Sequence, residues 1–318
     1  MDQGMQYVYE VYLEKSFSRA AEKLFVSQPA LSIAVRKVEE ALGSKLFDRS
    51  SQPLRLTPAG EVYIRQVQRL RMLEEEMLSQ INDLSALRRG HLRIGGTHYF
   101  NAYVLPQVLA AFSSQYPGIE LSLREASSAR ILRELVEGHI DVMISAVPFD
   151  ERQFDQRSVF EDHILLVVPD GLPGVPPPDG RALSRDMVLA DAHLKRDCPR
   201  LSLEPFSQLP FLMLTAGNNL HQRSLSMCRE AGFEPRVRLM VEQFTTSYAL
   251  SCSGLGLSFA STLLIAQDPP APVHYYKLDS TLADRSFRAI MRKDAYRSHA
   301  VEAFLDMIVA CYPQACPL

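Results

Sequence analysis

Between residues 27 and 43 apolar and polar positions separate cleanly. Leu31, Val35, Val38 and Leu42 recur at helical spacing and predict a buried stripe. Gln28, Ser32 and Arg36 recur every four residues on another face, joined by Pro29 and Ile33. Ser27 is placed to cap this helix, Pro29 falls in its first turn, where a missing N–H costs little, and Gly43 ends it. Ahead of it the pattern predicts a helix over 2–14 and another over 19–25, capped by Ser18, with Ala20 and Ala21 allowing close approach to a neighbour. The segment "SSQPLRLTP" closes this small region at residue 57. One long helix is then predicted over 58–88, capped by Thr57 with Pro58 in first position.

Tyr63, Leu70, Met77 and Leu84 recur every seven residues along that helix, and Val67, Leu73, Ile81 and Leu87 fill positions three or four further on. This imperfect heptad seam predicts a coiled-coil homodimer; the other reading is a helix packed on its own chain. From 92 to 318 short apolar runs alternate with amphipathic ones, the order of an α/β domain. "HLRIGGTH" reads as a strand and loop, "FNAYVLPQVLAAFSSQYP" as one helix, "IELSLREAS" as a strand, and "SARILRELVEGHIDVMIS" as a helix and strand. A βαβαβ order predicts a parallel sheet with helices on both faces. The division expected is subdomain I at about 92–149 and 269–318, and subdomain II at about 150–268. "PDGLPGVPPPDG" at 169–180 is a surface loop.

Charge and composition change this picture little. A net charge of −3 means that any nucleic-acid contact must come from local placement rather than from a basic chain, and the first sixty residues are nearly balanced. "MDQGMQYVYE" lacks a basic region followed by an apolar run, so no signal peptide is expected. No run approaches the ~18 apolar residues that would mark a membrane helix. The five cysteines are an odd number without CxxC spacing, and a reducing cytoplasm is the simplest setting.

Two short helices with a tight break, the second presenting Gln, Ser and Arg, predict a helix-turn-helix. Gln and Arg can pair with base edges, Ser can donate or accept, and Pro and Ile can touch a thymine methyl. The other reading, a helical bundle with a merely wet polar face, is not excluded by spacing alone. The motifs "SFSRAAEKLFVSQPALS", "VEEALGSKLFDRS" and "LRLTPAGE" resemble the DNA-binding domain of LysR-type transcriptional regulators, ungapped over about 50 residues. Lys15 departs from the pattern, where a small residue is common.

The resemblance implies a winged helix-turn-helix in which Gln28, Pro29, Ser32, Ile33 and Arg36 face the major groove. Residues 46–57 would form the wing, with Arg49 and Arg55 near phosphates. A structural ion pair is the alternative for Arg49, and plain solvation for Arg55. A dimer with two such helices predicts an inverted-repeat site on double-stranded DNA. The resemblance further implies a homotetramer and a C-terminal effector domain similar to periplasmic binding proteins, with a small-molecule effector between the subdomains.

Candidate effector residues lie where strands end and helices begin: Thr97 and His98, Ser127 and Ser128, then Asn218, Asn219 and His221 in "TAGNNLHQR", and Thr245 beside Thr246. Helix N-termini suit an anion or carboxylate. By resemblance, Thr97 and Ser128 match positions that commonly touch effectors; helix capping is the alternative for Thr97 and for both serines. Phe100 and Phe149 are cleft-wall candidates with core packing as the alternative. The glycines of "CSGLGLSFA" do not form a nucleotide-binding fingerprint. No GxSxG, HExxH, Walker or clustered His/Cys motif occurs, so neither an enzyme, a metal site nor a cofactor is expected. A rival trigger is thiol redox sensing at Cys198, which lies among Lys195, Arg196 and Arg200.

Overall fold

The computed structural model describes residues 2–51, 53–83, 90–147, 149–175, 179–216, 218–267 and 270–312. The chain divides into two compact units, residues 1–86 and 87–318.

The first unit opens with α1 (Gln3–Glu14), α2 (Phe17–Lys23) and α3 (Gln28–Leu42), followed by a two-stranded wing, β1 (Phe47–Asp48) against β2 (Arg55–Leu56), and α4 (Pro58–Asp83). Val8, Val11, Ala20, Ala21, Leu31, Val35, Leu46, Phe47, Ile64 and Val67 form its core. The two alanines permit the close α1–α2–α3 approach. Gly60 serves the same end at the wing, where a Cβ would collide with the Leu46 carbonyl. Thr57 caps α4 by accepting from the Gly60 N–H at 3.0 Å.

Three expectations change here. Ser16, not Ser18, caps α2: its extended backbone lets the hydroxyl accept from Arg19 N, and Phe17 then turns its ring onto Phe47. That helix stops at Lys23 because Phe25 takes a left-handed conformation, φ 55°. Leu42 is half-exposed, and Glu39 takes the inner position instead. Its carboxylate accepts from the N–H groups of Leu46 (2.8 Å) and Phe47 (3.3 Å), backbone donors that an apolar side chain would leave unpaired. Lys15, the departure from the family pattern, is also left-handed, φ 48°. Leu84 and Leu87 of the expected heptads, and the end of the expected helix, lie outside the described residues.

The second unit is α/β. In chain order it contains β3 (Gly90–Gly96), α5 (His98–Tyr103), α6 (Leu105–Gln115), β4 (Ile119–Glu125), α7 (Ser128–Val136), β5 (Val142–Ser145) and β6 (Phe154–Pro169). Then come α8 (Arg185–Leu189), β7 (Pro210–Leu214), α9 (Asn219–Glu230), β8 (Arg236–Val241), α10 (Phe244–Cys252) and β9 (Ser258–Ser261). The chain finishes with α11 (Thr262–Gln267), β10 (Val273–Lys277), β11 (Asp284–Arg292) and α12 (His299–Cys311). The helix expected over 100–117 is two, α5 and α6. Pro106 cannot donate to the turn before it, and the break falls at Val104.

The strand order is β10-β6-β11-β5-β3-β4, with β9 also on β6 and β7-β8 as a separate parallel pair. β3 pairs in parallel with β4 and β5, and β11 runs antiparallel between β5 and β6. β6 belongs to both lobes. Its residues 154–163 pair with β11, and 164–169 pair with β9 and β10. The lobes therefore exchange at 163/164 and again near 284, later than the boundaries at about 150 and 268 read from the sequence. "FDQRSVFEDH" is polar enough to read as a loop, yet the sheet takes it as the half-buried half of β6. Phe100 and Phe149 are core residues, Phe100 in the main cluster and Phe149 against Phe154.

Candidate functional site

Two surfaces carry polar side chains toward open space. The first is α3. Ser27 accepts from Ala30 N and starts the helix, while Leu31 and Val35 anchor its inner face. Gln28, Pro29 and Arg36 are exposed, Ile33 is 48% exposed, and Ser32 is partly buried. Arg36 reaches Glu40 at 3.5 Å, an exposed pair that competing partners displace cheaply. Arg49 crosses from the wing to α3. It donates to Ser32 Oγ at 3.3 Å and to Glu39 at 3.4 Å, and lies 4.9 Å from the Phe17 ring centre. The ion pair considered from the sequence is present, with almost half of the Arg49 side chain still exposed. Arg55 is exposed opposite Asp48 in the wing register. Ser50 donates its hydroxyl and N–H to Asp48 and holds that carboxyl below its ordinary pKa.

The second surface is a cleft of about 490 Å³ in the α/β unit. The β3–α5 junction brings Thr97, His98 and Tyr99; β4–α7 brings Glu125, Ser127 and Ser128; β7–α9 brings Asn218 and Asn219. The β8–α10 junction adds Glu242, Gln243 and Phe244, and β11 adds Arg285 and Phe287. Side-chain caps close α1, α2, α3, α8, α9 and α12. Ser127 and Gln243, the N-caps of α7 and α10, make no such bond. Two helix N-termini, with that of the short α5 at Thr97 as a third, thus reach one cleft without a side-chain cap.

Beneath the cleft lies a buried polar chain. Arg285 pairs with Asp162, a register partner on β6 with no exposed surface. Ser261 gives its proton to Asp162 at 2.5 Å, so the Tyr99 hydroxyl is the donor to Ser261, also at 2.5 Å. Arg285 also faces the rings of Tyr99, Phe244 and Phe287. Its charge is largely balanced by Asp162. At the rim, His98 Nδ1 lies 3.1 Å from Glu125.

Residues 3–61 match the model for the bacterial regulatory helix-turn-helix protein, lysR family; residues 85–186 and 181–311 match the LysR substrate binding domain. The chain belongs to the LysR family of transcriptional regulators. Among curated relatives, an uncharacterized HTH-type regulator of Bacillus subtilis, YcgK, is 26% identical over 303 residues, covering 95% of this chain and 92% of its own. A probable RuBisCO transcriptional regulator of Trieres chinensis is 26% identical over 311 residues, 96% of this chain and 94% of its own. A full-length OxyR variant from Pseudomonas aeruginosa superposes with a TM-score of 0.68 at 23% identity, covering 96% and 93% of the two chains. Full-length CbnR complexed with its target DNA gives 0.64 at 20% identity, covering 98% and 99%.

Within this LysR-family effector domain, six sequence candidates line the cleft together: Thr97, His98, Ser127, Ser128, Asn218 and Asn219. His221 and Thr245 do not. His221 is turned to the Leu214 carbonyl by a 2.5 Å hydrogen bond, and Thr245 sits one residue past the true start of α10 at Phe244. The sequence reading missed Arg285, Tyr99, Glu125, Glu242 and Gln243. For Arg285 a signal existed: in "DRSFRAIMR" it shares the buried side of the strand with Phe287, Ala289 and Met291, where an arginine needs a partner. Among the described residues no group of three metal-ligating side chains occurs, and no helix is long and apolar enough to cross a membrane.

Proposed function

We propose that this LysR-family regulator reads an inverted-repeat DNA site through Gln28, Pro29, Ser32, Ile33 and Arg36. Arg49 and Arg55 would approach phosphates, and a small anionic or carboxylate effector would occupy the 490 Å³ cleft. The observation that carries the effector class is the pair of uncapped N-termini, α7 and α10, aimed at one cavity. Free N–H groups and the helix dipole favour negative charge there. Glu125 and Glu242 at the same walls suit donor groups elsewhere on the molecule. Thr97 and Ser128 would supply hydroxyls.

Dimerisation is assigned to α4. Beyond Val67, which is buried, Leu70, Leu73, Met77, Leu78 and Ile81 are between 42% and 61% exposed, an apolar strip that a second copy would cover. A tetramer would then place two DNA-binding pairs, and effector binding would shift their spacing only through different affinity for two arrangements.

The alternative trigger is thiol redox sensing at Cys198, a partly exposed free thiol whose Sγ lies 3.9 Å from the Pro199 carbonyl. Cys228 is not a second candidate, because burial pushes its thiol up to about 12, the reverse of a reactive thiolate. A thermal-shift screen of small carboxylates, amines and neutral sugars against the full chain tests the effector class. A carboxylate is expected to raise the melting temperature by mass action; a response confined to amines refutes it. For DNA, a duplex is selected from a random pool, and Arg36→Ala is expected to lower specific affinity about 10- to 100-fold while sparing non-specific binding. Equal losses would make Arg36 a phosphate contact.

A further inference from the structure

Helices α2, α3, α7, α9 and α10 end the same way. In each, one N–H bonds to the carbonyl three residues back and the next N–H to the carbonyl five back from itself. This pair of bonds puts the intervening residue in the left-handed region, where a Cβ is disfavoured. At four of these ends the residue is glycine: Gly43, Gly138, Gly232 and Gly254, with φ from 64° to 84°. At the fifth, closing α2, it is Phe25, φ 55°, with bonds from Phe25 N to Glu22 (3.1 Å) and Val26 N to Ala21 (3.0 Å).

Phe25 therefore carries two costs at one position. Its backbone sits where glycine is preferred, and its ring is 96% exposed. Local folding needs neither. The neighbouring Val26 already supplies the apolar contact that closes such a turn, packing against the core of the first unit. The other left-handed non-glycine residues among those described, Lys15 and Asp191, have exposed charged side chains that water solvates. Strain retained together with an exposed aromatic is the mark of a site with work to do.

The place of Phe25 indicates what it meets. It lies two residues before Ser27, the N-cap of α3, so at most about 7 Å of chain separates it from the helix end that carries Gln28 and Pro29. The cation nearest in sequence is occupied: Lys23 pairs with Glu10 at 2.5 Å and Glu14 at 3.2 Å. We infer that Phe25 is a further DNA-contacting residue, its ring packing on the deoxyribose edge of the strand that flanks the groove entered by α3. This rests on the recognition role proposed for α3. The contact is apolar, so it adds affinity without adding a phosphate charge pair.

The test uses the full-length chain and the duplex it selects from a random pool, with affinity measured by fluorescence anisotropy across salt. Phe25→Gly and Phe25→Asn both suit the left-handed backbone and remove the ring. Each is expected to keep or raise the melting temperature, weaken duplex binding about five- to tenfold, and leave the salt slope unchanged. Phe25→Tyr keeps a ring and is expected to bind as the parent does. Parent-level affinity in both the Gly and Asn variants overturns the inference, including where they lose activation in cells, since the ring would then serve a protein partner. A changed salt slope also overturns it. If the parent chain selects no duplex while remaining folded, the recognition role of α3 fails instead.

Discussion

The proposed recognition face and the proposed effector cleft are both polar surfaces, and they are assembled in opposite ways. The face is fifteen consecutive residues of α3. Its inner side is fixed by Leu31 and Val35, and its outer side follows from the helical period. The cleft gathers residues from junctions spread between Thr97 and Phe287, and its floor joins Tyr99, Asp162, Ser261 and Arg285. A contiguous surface tolerates loss of one side chain without moving the rest. A distributed one depends on the buried groups that hold its pieces in place.

The largest expected effect tests that dependence. Asp162→Ala leaves the Arg285 guanidinium buried without its carboxylate and releases Ser261 and Tyr99. The expected loss is about 3–5 kcal/mol of stability, read by denaturant unfolding, with loss of effector response. Asp162→Leu combined with Arg285→Met removes both charges and is expected to recover a large part of that stability, because no charge is left stranded. Arg36→Ala is expected to leave the unfolding midpoint unchanged. If Asp162→Ala were equally silent, the two surfaces would not differ as described.

The same contrast explains what the sequence revealed. The helix-turn-helix was legible because its signals are local: Ser27, Pro29 and Gly43 punctuate one periodic segment. Thr97 and Ser127 were found because strand-to-helix junctions are marked by capping residues. Arg285 and Asp162 were not, since their meaning comes from a pairing across 123 positions. The lobe boundary was misplaced because β6 changes partners at Ile164 within a single unbroken strand. Glu39 was hidden for a related reason, as its inward turn is dictated by the wing backbone rather than by its own helix.

A second prediction sharpens the comparison through pH. His193 is 3% exposed, against the ring of His163, and burial with that neighbour lowers its pKa to about 4. His163 in turn faces Asp284 at 2.8 Å, beside the point where β6 changes partners. The unfolded chain has a histidine near 6.5 and so binds more protons between pH 6.5 and about 4. Stability from this group is therefore complete above the unfolded value and is lost as pH falls toward about 4. The expected loss is about 2 kcal/mol at pH 5. His193→Gln is expected to flatten that part of the stability profile; an unchanged slope would place the acid sensitivity elsewhere. The recognition face contains no histidine and is expected to lack this dependence.

The smallest effect separates two arginines of the wing. Arg49 is tied to Ser32 and Glu39 and lies over Phe17, whereas Arg55 is exposed opposite Asp48. If both meet phosphates, either alanine variant reduces the salt slope of DNA binding by about one. Only Arg49→Ala should also lower stability, by roughly 1 kcal/mol, because it leaves one oxygen of the buried Glu39 carboxylate without its cation. Arg49→Lys keeps the charge but loses the planar contact with the ring and the two-way reach to Ser32 and Glu39. It is expected to preserve the slope and still lose stability. A stable Arg49→Ala chain with the parent salt slope would leave that side chain with neither role, and the wing would then owe its position to Phe47 and the Glu39–backbone bonds alone.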